Sequence, residues 1–230
     1  MLVGMLRDVA SKAVKEKRIA YNPFLEIPPL RRRGDGKKYP AMSAREVGRL
    51  MDQDSHVAAN ACMQVQLLTG MRPAEARGLC WEDISERDRT IRICHQLRDG
   101  SAHPIERTKN GKVRKIAPGP MAFEILRKMK ENRTEDAKGL VFLDAEGNPM
   151  NGMKLNRRLK EIVGREDVRL HDLRVTSATM MYRETRDLWR VSRWLGHSDT
   201  DVTQRHYVDV RPDLEKARET QNRHYKEVLA

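Results

Sequence analysis

The sequence predicts a mainly α-helical fold that carries a small three-stranded antiparallel sheet, an α+β arrangement. Three observations predict it. Apolar residues recur at helical spacing through most of the 230 residues. One stretch, residues 90–118, changes to alternation, the period of a half-buried strand. Within that stretch stands Asn110-Gly111, the strongest short-range hairpin signal. Hydrophobic residues make up 39% and aromatics 5%, so the core must be mostly aliphatic, with twelve methionines as adaptable filler. The length suits one large domain, or one full domain plus a fragment.

The first helix is expected over residues 5–18, where Met5, Leu6, Val9, Ala10, Ala13 and Val14 form one stripe. Asn22-Pro23 stops it, because a residue before proline is pushed out of the α region. From Pro23 to Pro40 four prolines accompany Arg31, Arg32, Arg33, Lys37 and Lys38. That composition is a linker, whose basicity suits either a path along phosphates or a merely solvated loop. The expected organisation is therefore a helix within 1–22, a basic linker over 23–40, and a main domain over 41–230 that ends in a C-terminal helix.

In the main domain Ser43 and Glu46 have the spacing of a capping box for a helix running to about Gln53. A second helix, from about Ser55 to Leu68, meets a glycine stop at Thr69-Gly70. Pro73 suits the first turn of a third, which places Arg72 at a corner between helices. The three strands are expected at Thr90–Leu97, Ile105–Lys109 and Lys112–Ala117, with Lys109 at the hairpin tip. Helices resume at Pro120–Asn132 and, after the short apolar run Leu140–Leu143, at about Asn151–Val163. The exposed positions of that last segment include Lys154, Asn156 and Arg157, which suit base edges in a major groove or a solvated basic face. Further helices are expected at about 171–186, 187–195, 200–208 and 212–228.

Lys plus Arg number 45 against 33 Asp plus Glu, a net charge of +12, which attracts polyanions and points to nucleic acid as partner. No apolar run approaches a membrane span of about 20 residues, and the basic N-terminus lacks the apolar segment of a signal peptide. A soluble, intracellular protein is expected. Cys62, Cys80 and Cys94 are odd in number and lack C-x-x-C spacing, so they read as buried, reduced thiols, with no zinc site and no disulfide framework.

The stretch His171–Tyr207 includes His171, Arg174, His197 and Tyr207, side chains suited to a phosphodiester attacked by a phenol. Such chemistry needs the non-bridging oxygens neutralised, the nucleophile deprotonated and the leaving oxygen protonated. No clustered carboxylate pair reads as a magnesium site, so no metal or other cofactor is expected and cations must do the work. Guanidinium suits it, because its planar fork donates two hydrogen bonds to phosphate. His171 and Arg174 lie three apart and share a helical face, and Asp172 near the first turn suits the helix dipole.

Six positions recur in order: Arg72 in TGMRPAEARGL, Lys109 in RTKNGKVRKIAP, His171 and Arg174 in LHDLRVTSAT, His197 in LGHSDTDVT and Tyr207 in TQRHYVDV. In these the chain resembles the catalytic domain of the tyrosine recombinases, the phage-integrase family, over roughly Tyr39 to Val210. The resemblance implies a fold like that catalytic domain and a site-specific recombinase or integrase that forms a 3′-phosphotyrosine, acting for a phage, prophage or other mobile element. It implies that Arg72, Arg174 and His197 hold the scissile phosphate, that Tyr207 attacks, and that Lys109 protonates the leaving oxygen. His171 would assist proton movement at the tyrosine, and Glu75 would support Arg72. Tyr207 is distinguished from the other four tyrosines by following Leu-Gly-His by ten residues. A free tyrosine has a pKa of about 10, so it attacks only where cations stabilise the phenolate.

The same resemblance makes residues 1–22 the last helix of a shortened core-binding domain. It implies a homo-oligomer on DNA in the cytoplasm of a bacterial host, as a tetrameric synapse, and a monomer without DNA; the helix over 213–229 either docks on a neighbour or packs on its own chain. Val175 departs from the family, which more often has His or Arg there. A type IB topoisomerase-like strand transferase and a non-catalytic architectural DNA-binding protein are the alternatives. The intact six-residue set argues against the second.

Overall fold

A computed structural model describes residues 2–26, 41–105, 113–131 and 139–196. The chain divides into two compact units, Met1–Lys38 and Tyr39–Ala230. The linker arginines Arg31, Arg32 and Arg33 lie outside the described residues.

In the first unit α1 spans Leu2–Lys15. It ends earlier than Asn22-Pro23 would require, because Lys17 enters the left-handed region (φ 57). The Arg18 N–H then returns to the Ala13 carbonyl at 2.9 Å, closing the last turn. Asn22 folds back instead, donating to the Arg7 carbonyl and to Ser11 Oγ.

The second unit is built around a buried helix. α2 (Ala44–Met51) starts at the expected capping box, with Ser43 Oγ accepting the Glu46 N–H and the Glu46 carboxylate accepting the Ser43 N–H. α3 spans Ala58–Thr69, three residues later than expected at its start. Asp54 holds the intervening turn: its carboxylate accepts the His56 N–H and its carbonyl accepts from Asn60 Nδ2. α3 packs on α2, α4 (Pro73–Arg77), α5 (Pro120–Glu131), α6 (Gly152–Val163) and α7 (Leu170–Thr185). Its polar side chains are satisfied inside the core. Gln64 bonds Ser55 and the carbonyls of Leu50 and Gln53, while Gln66 Nε2 donates to the Leu170 carbonyl at 2.7 Å and so ties α3 to the start of α7.

Gly70 ends α3 in the left-handed region (φ 66). A Cβ there would stand 2.9 Å from Leu195 Cδ2. Gly70→Ala is therefore expected to lower stability by about 1–2 kcal/mol, read as a shift of the urea midpoint at unchanged slope.

The sheet has the expected three antiparallel strands, but their membership differs. The order is β1 (Ile84–Ser85), β2 (Thr90–Ile93), β3 (Arg114–Ile116), with Ser85 opposite Thr90 and Ile91 opposite Ile116. The first strand precedes the alternating stretch, and at two residues it is too short to show a period. Of the expected strand Ile105–Lys109 the described residue is Ile105, which bridges to Gln96; residues 106–112 with the Asn-Gly turn lie outside the described residues. The apolar run Leu140–Leu143 enters the core, with Leu140, Val141 and Phe142 buried.

α8 (Leu188–Leu195) follows α7 across a short turn capped by Asp187. Val175, Ala178, Val191 and Leu195 form a small second core between these two helices, with Tyr182 packed beside it. The departure at Val175 is thus a core position. Cys62, Cys80 and Cys94 are buried free thiols. Among the described residues no helix is long and apolar enough to cross a membrane. The helices expected at 200–208 and 212–228 lie outside the described residues.

Candidate active site

Arg72 occupies the corner expected of it. α3 stops at Gly70, and Arg72 is the extended residue (φ −66, ψ 152) before Pro73 opens α4. Its own N–H donates to Glu75 Oε2 at 2.8 Å and its Nη1 donates to Glu75 Oε1 at 2.8 Å. Corner and side chain are thus held by one carboxylate, three residues along a helix. A residue that the sequence reading did not single out completes the arrangement. Arg114, on β3, grips the same carboxylate with both ends of its fork, Nη1 to Oε1 at 3.0 Å and Nη2 to Oε2 at 2.6 Å.

Burial by itself would raise the pKa of Glu75, whose side chain is 2% exposed. The hydrogen bonds and charge of Arg114, then the N–H and charge of Arg72, overcome that and lower it to about 2.

Arg174 is the largest fully buried side chain among the described residues. Its Nη1 donates to the Gly70 carbonyl at 2.7 Å and its Nη2 to the Leu195 carbonyl at 2.7 Å. These carbonyls sit at the C-terminal ends of α3 and α8, where helix dipoles are negative and carbonyls lack intrahelical partners. Two helix ends therefore stabilise a charge that would otherwise not be buried.

The contacts close on themselves. Arg174 joins Gly70 to Leu195; the next residue, Gly196, lies against the Arg114 side chain; Arg114 holds Glu75; and Glu75 holds Arg72, two residues from Gly70. The turn after α3, the turn after α8 and the strand β3 are thereby locked around three guanidiniums, those of Arg72, Arg114 and Arg174. Such a site can present fixed cations to a phosphodiester without reorganising.

His171 is exposed, one turn before Arg174 on α7, so the two differ sharply in burial although they lie three apart. Asp172 caps the start of α7, its carboxylate accepting the Arg169 N–H at 2.9 Å, and burial pushes its pKa up. Asn156 also serves α7: its Oδ1 accepts the Leu170 N–H at 3.0 Å, a packing duty beside any contact with DNA. Lys154 and Arg157 are exposed on α6. Lys109, His197 and Tyr207 lie outside the described residues.

Arg114 had a signal in the sequence. It stands two residues before Ile116 on a strand, hence on the inward face, and a cation there requires a buried partner.

Among the described residues Cys80, Asp83 and His95 bring metal-ligand atoms within 4.8 Å of one another. Asp83 there already accepts from Arg92 Nε at 3.1 Å and Cys94 Sγ at 3.0 Å, and contacts His95 Nδ1 at 2.6 Å. Burial and the neighbouring carboxylates Asp83 and Glu82 push the Cys80 thiol up to about 12, so it stays protonated at neutral pH.

The fold is that of tyrosine recombinase and integrase catalytic domains. It superposes on the Tn1549 transposon integrase in complex with circular intermediate DNA, with a TM-score of 0.73 and 18% identity over 94% of this chain and 76% of that one. It superposes on a lambda integrase dimer bound to a COC′ core site, with a TM-score of 0.64 and 17% identity over 90% and 71%. Residues 40–213 match the phage integrase family, and the chain belongs to that family. Among curated relatives, the integrase of Staphylococcus phage L54a is 27% identical over 72% of this chain and 52% of its own length. A tyrosine recombinase XerC-like protein of Caldanaerobacter subterraneus subsp. tengcongensis is 25% identical over 92% and 62%. The chain thus spans about half to three fifths of the length of these relatives.

Proposed function

We propose that this chain carries the strand-cleaving and rejoining activity of a site-specific DNA recombinase or integrase of a mobile element. Arg72 and Arg174, with His197, neutralise the scissile phosphate. The Tyr207 phenolate oxygen attacks phosphorus, the bond to the 5′ oxygen breaks, and Lys109 gives that oxygen its proton. A 3′-phosphotyrosine and a 5′-hydroxyl result, and attack by a 5′-hydroxyl reverses the step. His171 assists proton movement at the tyrosine. The phosphodiester energy is conserved in the covalent bond, so rejoining needs no nucleotide hydrolysis.

The observation that carries this reading is the buried Arg174, bonded to the ends of two helices, one of them at the turn that leads into Arg72. A buried arginine so preorganised, beside a second arginine that shares its carboxylate with Arg114, suits developing charge on a phosphate. The net charge of +12 and the DNA complexes of the structural relatives support double-stranded DNA as the partner. Lys154 and Arg157, with Asn156 and the linker arginines, are read as DNA contacts. A tetrameric synapse and a DNA-free monomer are part of the same proposal, as is a linker before the catalytic unit. The compact second unit begins at Tyr39, two residues before the boundary expected at 41.

The test uses nicked duplexes whose central base pairs are randomised, so that a cleaved strand diffuses away and the protein selects its own site. The wild-type chain is expected to give a denaturant-resistant adduct, whereas Tyr207→Phe binds the recovered duplex and gives none. An adduct from Tyr207→Phe would overturn the nucleophile assignment. For Lys109→Ala, a sulfur in place of the bridging 5′ oxygen should restore cleavage, because a thiolate leaves without an acid.

A further inference from the structure

Glu75 has about four hydrogen-bonding directions on its two carboxylate oxygens, and all four are taken. Arg72 supplies two donors, its backbone N–H and Nη1, and Arg114 supplies the other two, Nη1 and Nη2. Two guanidiniums share one carboxylate, so one positive charge remains over. Were Arg114 absent, both oxygens could turn to Arg72 and form a bidentate pair, the geometry that guanidinium and carboxylate prefer. Such a pair is neutral, and its arginine faces the carboxylate instead of a phosphate.

The place of Arg114 is itself enforced. Its side chain is 11% exposed, on a strand paired through Ile93 opposite Arg114 itself. Gly196, in the left-handed region (φ 70), brings the chain so close that a Cβ there would stand 2.6 Å from Arg114 Cδ. In sequence Arg114 follows Lys109 by five residues, and Gly196 immediately precedes His197. One side chain therefore links the strand after the lysine, the corner bearing Arg72 and the turn before the histidine.

We propose that Arg114 is a positioning residue for strand cleavage: by occupying half of Glu75 and resting on Gly196, it keeps the Arg72 guanidinium placed and charged toward the scissile phosphate. This rests on the recombinase reading above. Arg114 acts through Glu75 and Arg72.

The experiment is single-turnover cleavage by the full chain at saturating protein, on the nicked duplex that the wild type selects from the randomised pool. Adduct amplitude reports the fraction of active molecules, and the rate constant reports the chemistry of each. Arg114→Gln is expected to bind the duplex as the wild type does and to reach a comparable amplitude at a rate about 100-fold lower. Arg114→Lys, which keeps the charge but loses the fork, is expected to fall about 10-fold. A reduced amplitude at wild-type rate would mean that Arg114 only holds the fold together, and would overturn the proposal. So would a rate loss fully explained by weaker DNA binding. If Arg114→Gln fails to fold, the rate per active molecule of Arg114→Lys decides. Absence of adduct from the wild type counts against the recombinase reading itself, and is seen before any Arg114 variant is compared.

Discussion

Arg174→Ala is expected to lose about 4 kcal/mol of stability, the largest effect of any single substitution discussed for this chain. The side chain is fully buried, and its two 2.7 Å bonds are charge-assisted, each to a carbonyl at a helix end. Removing the guanidinium leaves both carbonyls without that donor inside the protein and opens a cavity as large as an arginine. Arg174→Lys restores the charge but not the fork, since one ammonium cannot span carbonyls on two helices. It is expected to recover no more than roughly half of the loss. Urea denaturation decides: a midpoint shift worth less than about 1 kcal/mol for Arg174→Ala would mean that the two helix ends hold together without it. Because Arg174 joins the turns after α3 and α8, its loss should also abolish adduct formation among molecules that remain folded.

Glu75→Gln is expected to cost about 3 kcal/mol at neutral pH, from the difference between the usual carboxylate pKa of 4.5 and the folded value of about 2. Since the folded value is the lower one, the carboxylate stabilises fully above pH 4.5, and its contribution is lost as pH falls through about 2. Wild type and variant should therefore differ most at neutral pH and converge in acid. Stability curves that run parallel from pH 7 down to 3 would show that Glu75 does not titrate as its surroundings require. Glutamine keeps the shape but offers one acceptor oxygen where two arginines need four bonds, so Arg72 and Arg114 must compete for it. The same variant should slow cleavage, for the reason given for Arg114.

The helices were legible because each had a local cause. Ser43 with Glu46, Gly70 after Thr69, Pro73 and Asn151 act within one turn of chain, and all stand at the ends expected of them. Where a boundary moved, a tertiary or turn contact had moved it: Asp54 delays α3, and the left-handed Lys17 cuts α1 short. The two-residue strand at Ile84–Ser85 could not be seen, since it exists only by pairing with Thr90 and Ile91.

The chemistry to look for was legible in the residues alone. Arginines, a lysine, histidines and a tyrosine in one order define a set of groups, because side-chain chemistry and short motifs are local properties. How the arginines are held depends on contacts between distant segments. The pairing of Glu75 with Arg114 joins residues 39 positions apart, and the bond from Arg174 to Gly70 joins residues 104 apart. Neither partner carries a local mark of the other. Both contacts follow from how the helices pack around α3, which no short stretch of sequence displays.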